Sequence, residues 1–164
     1  MAVFTSPYDS PAYFEQALFL YIKYLHCLED DYALNGLTVY EYFVRLIERT
    51  SPLFFVITEG QCVSGFVYLD NIIGNSEKMH SAELVTCFDK RFWGNYTKKC
   101  AEFFINYCFK TYGFQKIKAL VYPDNFRVKT LLKKSGFVME ALLKNETLRK
   151  GELQDIEVYS IFKN

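Results

Sequence analysis

Short runs of β-branched and aromatic residues, bounded by polar residues, Gly and Pro, predict a series of strands along this chain. The predicted strands cover residues 2–5, 53–58, 62–69, 82–88, 117–122, 137–146 and 155–162. Glu59-Gly60-Gln61 predicts a tight hairpin turn, and residues 148–151 predict the turn of a second hairpin. Gly65 lies inside a strand and predicts a bulge or a close backbone approach. Residues 70–79 show neither pattern and are expected to form a looser connection.

Four longer runs have apolar residues at helical spacing. Ser10 and Pro11 predict the start of a helix over residues 11–28, and Thr38 and Asn125 predict caps for helices that reach residues 49 and 134. A helix over residues 97–112 ends before Gly113, a residue suited to the position after a helix. The first helix is expected to pack through Phe14, Leu18, Tyr21, Ile22 and Leu25.

The turn between the strand at residues 82–88 and the helix at residue 97 is a candidate anion site. The first N–H groups of a helix lack internal partners, and the helix dipole adds partial positive charge. Lys90, Arg91, Lys98 and Lys99 surround this turn, which would suit a phosphate-bearing cofactor. The same features are also typical of an ordinary strand-to-helix crossover with a solvated basic rim, so the pattern alone leaves both interpretations open.

Composition and charge narrow the class of protein. The chain has 164 residues, enough for one domain with a sizeable core, and we expect residues 1–164 to form a single domain. Its formal net charge is zero, which argues against a generally basic nucleic-acid binder. The five cysteines form no CxxC pair and no secretory signal is visible, so we expect reduced thiols and a cytoplasmic protein. His26 and His80 are isolated, so no metal site is predicted, and the apolar run at residues 12–28 is too short and too polar to span a bilayer.

The order of residues from 83 to 137 carries a further signal. An acidic strand at Glu83 is followed by Phe92-Trp93-Gly94-Asn95, a helix, a strand that ends near Asn125, and Gly136-Phe137. This order resembles the acetyl-CoA-binding core of the GNAT superfamily of N-acetyltransferases, and within it the branch of ribosomal-protein N-acetyltransferases. The likeness covers roughly residues 53–162.

The resemblance implies an α/β (α+β) GNAT fold, with a mixed, mostly antiparallel sheet, helices on both faces and a splayed central pair of parallel strands. It implies acetyl-CoA as acetyl donor and a primary amine, such as a protein N-terminus, as acceptor. By matching position, Glu83 would be the catalytic base. The residues implied to bind the cofactor are Phe88, Phe92, Trp93, Gly94, Asn95, Tyr96, Thr97 and Asn125.

Four positions depart from the resembled pattern. Trp93 stands where the family usually has Gln or Arg. Tyr96 stands where the phosphate loop has its central glycine, Lys98 stands where a glycine or alanine is usual, and Leu132 stands where many members have a tyrosine general acid. Ser135, Tyr122 or water are the remaining options for the acid. A catalytically degenerate binding module and a small-molecule amine acetyltransferase therefore remain as alternatives, and neither nucleic acid nor membrane is expected as a partner.

Other features of the sequence each allow two interpretations. Tyr21, Tyr24, Tyr40 and Tyr42 would line the acceptor site by analogy, although each is more simply a core or half-buried residue. Residues 29–31 are acidic and suit either a cationic substrate or a solvated loop. Cys87 next to Phe88 suggests a covalent acetyl-cysteine route, but no histidine is near it in the sequence. The high aromatic content and exposed strand edges suggest a homodimer.

Overall fold

The computed structural model describes residues 1–164 and contains seven strands and four α-helices. The strands are β1 (Ala2–Thr5), β2 (Phe54–Glu59), β3 (Cys62–Gly74), β4 (Met79–Phe88), β5 (Lys116–Val121), β6 (Val138–Arg149) and β7 (Glu152–Phe162). The helices are α1 (Pro11–Leu28), α2 (Val39–Thr50), α3 (Asn95–Tyr107) and α4 (Phe126–Lys134). The strand order in the sheet is β1-β2-β3-β4-β5-β7-β6.

The chain divides into two compact units, and β3 and β4 each pass through both. The first unit contains Met1–Tyr68, Val85–Trp93 and Leu148–Glu152, and the second contains Leu69–Leu84, Gly94–Thr147 and Leu153–Asn164.

The first unit is built around aromatic side chains from α1, α2, β2 and β3. Tyr21 and Phe43 are fully buried, with ring centroids 4.8 Å apart, and Phe54 stacks on Tyr68 at 5.3 Å. Aromatic pairs at these distances add stabilisation beyond the burial of apolar area. Ile22 was predicted to belong to this core but is 52% exposed. Ala17 and Tyr21 lie one turn apart and set the buried stripe, which rotates Ile22 toward solvent.

Helix starts in the first unit follow the sequence signals. Thr38 caps α2: its hydroxyl accepts from the Glu41 amide at 3.2 Å, and the Glu41 carboxylate accepts from the Thr38 amide at 2.8 Å. Pro11 begins α1 as predicted, but the Ser10 side chain makes no capping hydrogen bond.

Gly65 confirms the expected close approach. A Cβ at this position would lie 2.4 Å from the carbonyl oxygen of Cys87 and 2.7 Å from the ring of Phe88. The pairing of β2 with β3 also shifts between Ile57 and Thr58, beside this glycine. Only a residue without a side chain lets β3 pass this close to the end of β4.

The second unit contains the parallel pair. Strand β4 pairs with β5 from Ser81↔Lys116 to Glu83↔Lys118, and β5 pairs antiparallel with β7 as far as Val121↔Glu157. The predicted mixed, mostly antiparallel sheet with one parallel pair is therefore confirmed.

The loose connection predicted over residues 70–79 is wrong, because β3 and β4 continue through most of it. A tight turn joins them, in which the Asn75 amide donates to the carbonyl of Lys78 at 3.0 Å. The Asn75 side chain accepts from the amides of Glu77 and Lys78 at 3.0 and 2.8 Å. Gly74, where a Cβ would lie 2.6 Å from the carbonyl oxygen of Lys78, and the Asn75 side chain together form this turn.

Helix α3 begins two residues earlier than predicted and changes to a π-helical turn at Cys108–Tyr112. Gly113 then follows in the left-handed conformation, as expected after a helix.

Candidate active site

Glu83 lies on β4 where the parallel pairing with β5 places it directly opposite Lys118. Its carboxylate is 3.4 Å from the Lys118 ammonium and accepts from the side-chain amide of Asn71 at 2.8 Å. The Glu83 side chain is 22% exposed, so it is neither sealed in the core nor fully solvated. A carboxylate with one long ionic contact and residual access can take up a proton if that contact is released.

Asp89 follows β4 directly and is buried, at 6% exposure. One of its carboxylate oxygens accepts from the backbone amide of Arg91 at 3.0 Å and from the Arg91 Nε at 2.9 Å. The other accepts from the Lys23 ammonium of α1 at 3.3 Å. Burial raises the pKa of Asp89, but the hydrogen bonds from Arg91 and Lys23 outweigh it, so its pKa is lowered overall.

The segment from Phe88 to Trp93 is closed by a second set of contacts. The indole N–H of Trp93 donates to the carbonyl of Phe88 at 2.9 Å, and its ring lies 6.1 Å from that of Tyr24. The Tyr24 hydroxyl accepts from the amide of Lys90 at 3.2 Å. Phe88 is buried, Phe92 is half-buried in the 3-10 turn and Trp93 is 39% exposed.

Gly94 and the first turn of α3 form the next part of the predicted cofactor loop. Gly94 has φ 109° and ψ −131°, a conformation open essentially to glycine alone, and a Cβ there would meet nothing within 4 Å. Asn95 is exposed, Tyr96 is half-buried and Thr97 is buried in this turn. The first turn of α3 carries no acidic residue, so its amides and dipole remain favourable to an anion.

Asn125 caps α4, as the sequence predicts: its side-chain oxygen accepts from the amide of Val128 at 3.3 Å. Further along this helix Leu132 is buried at 5% exposure and supplies no proton. The Ser135 hydroxyl at the end of α4 is buried and has no hydrogen-bond partner. Ser135 is thus the one side chain among the considered acids whose hydroxyl the surrounding protein leaves unsatisfied.

The tyrosines and acidic residues near α1 are largely committed to internal contacts. Tyr21 is buried and donates to the Glu29 carboxylate at 2.9 Å, and burial raises the pKa of Glu29 even though this bond opposes it. The Asp31 carboxylate accepts from the amides of Lys150 and Gly151 at 2.8 Å each. The Asp30 carboxylate accepts from the amide of Tyr32 at 3.0 Å, so all three carboxylates at residues 29–31 make internal contacts, which favours the simpler interpretation of this acidic run.

Cys87 is a poor nucleophile in this setting. It is 5% exposed, and burial raises the pKa of its thiol. A thiol that resists ionisation is unsuited to a covalent acetyl-enzyme route.

Sequence reasoning missed Lys118, Asn71 and Asp89. The opposition of Lys118 and Glu83 depends on the register of two strands separated by a helix, which no local pattern reveals. Asp89 did carry a usable signal: an aspartate two residues before a donor amide, at the end of a strand, is typical of an Asx turn.

A family comparison agrees with this arrangement. The model of the acetyltransferase (GNAT) domain matches residues 24–138, which is more than half of the chain. The chain belongs to the GNAT acetyltransferase family. The predicted family is therefore confirmed, and with it the expectation that the protein is an acetyltransferase.

Solved structures of other GNAT acetyltransferases share this fold. Ribosomal-protein-S5-alanine acetyltransferase from Vibrio fischeri aligns with a TM-score of 0.76 and 18% identity, over 99% of this chain and 92% of that one. Spermidine N-acetyltransferase from Vibrio cholerae, in complex with CoA and spermine, aligns with a TM-score of 0.76 and 20% identity, over 98% and 95% of the two chains. A ribosomal L7/L12 alpha-N-protein acetyltransferase in complex with coenzyme A aligns with a TM-score of 0.76 and 13% identity, over 98% and 93%.

Two further findings are negative. No curated protein matches this sequence significantly. No helix of the structure has the length and apolar character needed to cross a membrane.

Proposed function

We propose that this GNAT protein transfers the acetyl group of acetyl-CoA to a primary amine, with a protein N-terminus as the first acceptor to test. The observation that carries the proposal is the conformation at Gly94. A glycine-only backbone with open space at its Cβ position leads directly into a helix start that has no acidic residue. These are the features that let a phosphate group approach the amides of a helix.

In this proposal the chain from Phe88 to Thr97 holds the cofactor. The first turn of α3 binds the pyrophosphate, and Asn125 contacts the pantetheine arm or the sulfur. The half-buried Tyr96 narrows the loop where a glycine is usual, and the open Cβ position at Gly94 supplies the close approach instead.

Glu83 acts as the base, directly or through water. The amine nitrogen attacks the thioester carbon, the carbon–sulfur bond breaks, and the amine proton passes to the Glu83 carboxylate. A backbone amide near Phe88 stabilises the developing oxyanion. The departing CoA thiolate takes a proton from water or from the Ser135 hydroxyl, since Leu132 has none to give.

The test begins with calorimetric titration of the purified protein with acetyl-CoA, and with free CoA in parallel. Release of CoA thiol is then followed with two acceptors, a peptide with N-terminal alanine and spermidine. These two represent the acceptors named for structural neighbours. Binding followed by acceptor-dependent thiol release supports the proposal. Absence of binding at millimolar acetyl-CoA contradicts it.

A catalytically degenerate GNAT binding module is the second candidate. It is favoured by the buried Leu132, which removes the tyrosine acid implied by the resemblance. Tight acetyl-CoA binding without thiol release in the presence of any primary amine would favour this second candidate over the first.

A further inference from the structure

Asp89 lies at the centre of contacts that join α1 to the segment Phe88–Trp93. Its carboxylate receives three hydrogen bonds, two from Arg91 within the turn and one from Lys23 on α1. A buried carboxylate held by two cations and a backbone amide stays ionised, and its loss would leave both cations without this partner.

The backbone around Asp89 is equally constrained. Its amide donates to the carbonyl of Ser64 at 2.9 Å, and its carbonyl accepts from the amide of Phe92 at 2.9 Å. The carboxylate, amide and carbonyl of one residue therefore fix the direction in which the chain leaves β4.

A second contact from α1 acts on the same segment. Tyr24 follows Lys23, accepts a hydrogen bond from the Lys90 amide at 3.2 Å and packs its ring beside Trp93 at 6.1 Å. Trp93 in turn donates to Phe88 at 2.9 Å, which closes the segment upon itself. Two successive residues of one helix thus hold both ends of this turn.

We propose that Asp89 is a positioning residue that fastens the cofactor loop to α1, and that Lys23 and Tyr24 are the α1 side of this fastening. This inference rests on the proposed function, because it assigns the fixed segment to acetyl-CoA binding. The loop is then preformed before the cofactor arrives, and a change in α1 reaches the cofactor site through Asp89. Preformed loops bind more tightly because less ordering is left to the binding step.

Trp93 is the only tryptophan of the chain, so its fluorescence reports on this loop alone. In Asp89→Asn, we expect stronger acrylamide quenching and a red shift of Trp93 emission in the absence of any cofactor. The acetyl-CoA Kd and KM should rise about tenfold, as for the loss of a charge-assisted hydrogen bond, while kcat at saturating acetyl-CoA stays within about twofold. Asp89→Glu should restore part of the affinity.

Asp9→Asn is the matched control. Asp9 also accepts from a backbone amide, that of Ser6 at 3.1 Å, in an exposed connection of the same unit. It should leave Trp93 emission and acetyl-CoA affinity unchanged. An equal effect of Asp9→Asn would mean that any lost turn contact disturbs the loop, and would overturn the assignment to Asp89.

A double-mutant cycle that combines Lys23→Met with Asp89→Asn tests the link between Asp89 and α1. Lys23→Met should change Trp93 quenching and acetyl-CoA affinity in the same direction as Asp89→Asn, and the double variant should bind no more weakly than Asp89→Asn alone. Additive losses would show that Lys23 acts independently of Asp89 and would overturn the proposed fastening. If Asp89→Asn does not fold, Lys23→Met and Tyr24→Phe decide the same question, because wild-type Trp93 quenching in both would contradict it.

The outcomes separate this inference from the proposed function. A wild-type protein that fails to bind acetyl-CoA contradicts the proposed function, while the Trp93 measurements still test the fastening of the loop. A wild-type protein that binds acetyl-CoA, together with an Asp89→Asn variant that binds it equally well, overturns the inference and leaves the proposed function intact.

Discussion

Glu83 and Asp89 lie six positions apart, one on β4 and the other directly after it, yet their surroundings differ sharply. Glu83 contacts Lys118 at 3.4 Å and Asn71 at 2.8 Å, and its side chain retains 22% exposure. Asp89 is 6% exposed and holds two cations and a backbone amide.

This difference separates a carboxylate suited to chemistry from one suited to structure. A general base must lose its cationic contact and accept a proton near neutral pH. Burial raises the pKa of Asp89, but hydrogen bonds from the Arg91 amide and from the Arg91 and Lys23 cations lower it overall, so Asp89 remains ionised while the turn is intact. Residue type alone does not distinguish the two, because both are acidic residues, one within β4 and the other directly after it.

The strongest test of this comparison is Glu83→Gln. If Glu83 is the base, turnover falls by about 10²-fold or more while acetyl-CoA affinity is retained, because only the proton acceptor is lost. Steady-state kinetics with thiol detection and calorimetry measure the two quantities. Glu77→Gln, an exposed carboxylate in the turn before β4, is the control and should leave both unchanged. Unchanged turnover in Glu83→Gln would remove Glu83 from this role.

The next largest effect is expected at Gly94. Gly94→Val forces a branched side chain into a φ of 109° and should raise the acetyl-CoA Kd by about tenfold, since the strained backbone costs on the order of 1–3 kcal/mol. Gly36→Ala is the control, because Gly36 also has a positive φ, of 82°, and open space at its Cβ. Equal acetyl-CoA affinity in Gly94→Val and wild type would show that the phosphate loop is assigned to the wrong residues.

The next effect in size is expected from Lys118→Met, the variant that tests the ion pair between Lys118 and Glu83. The variant removes the cationic contact that a general base must lose, so kcat should rise by about two- to fivefold, the factor expected for a partly exposed ion pair, while acetyl-CoA affinity is retained. Steady-state kinetics with thiol detection and calorimetry measure the two quantities. Lys116→Met, which removes the neighbouring β5 lysine that pairs with Glu140, serves as the control. An unchanged kcat in Lys118→Met would mean that this ion pair does not limit the reaction.

The smallest effect is expected when the pH is lowered and Asp89 becomes protonated. A carboxyl whose pKa is lowered by folding stabilises the protein above its ordinary value of 3.8, and that contribution is lost as the pH falls through the lower folded value. Trp93 emission should therefore stay constant from pH 7 to 4 and change only below pH 3.8.

The groups that face Asp89 are Lys23 of α1, Arg91 of the turn and the Cys87 thiol. All three keep their protons in this range, so a change in Trp93 emission there does not come from their titration. Circular dichroism checks that the protein stays folded. A change in Trp93 emission above pH 5 would contradict the lowered pKa of Asp89.

Much of the fold follows from local sequence chemistry. The caps at Thr38 and Asn125 are confirmed because a side-chain oxygen within reach of the next amides favours a helix start in any context. Gly65 correctly predicts that β3 passes close to Cys87 and Phe88, because only glycine fits there. At Ile22 the prediction was wrong because tertiary packing buries Ala17, Leu20 and Tyr21 of α1 and leaves Ile22 exposed.

The candidate site divides in the same way. The sequence predicts Gly94 and Asn125 from local patterns, a glycine before a helix and an Asx cap, and it predicts Glu83 through the resemblance to the GNAT core. The tertiary structure alone decided that Lys118 lies opposite Glu83, and that Lys23 and Tyr24 hold the turn at Asp89. These contacts join residues that are 35 and 66 positions apart, and only the register of strands and the packing of α1 bring such residues together.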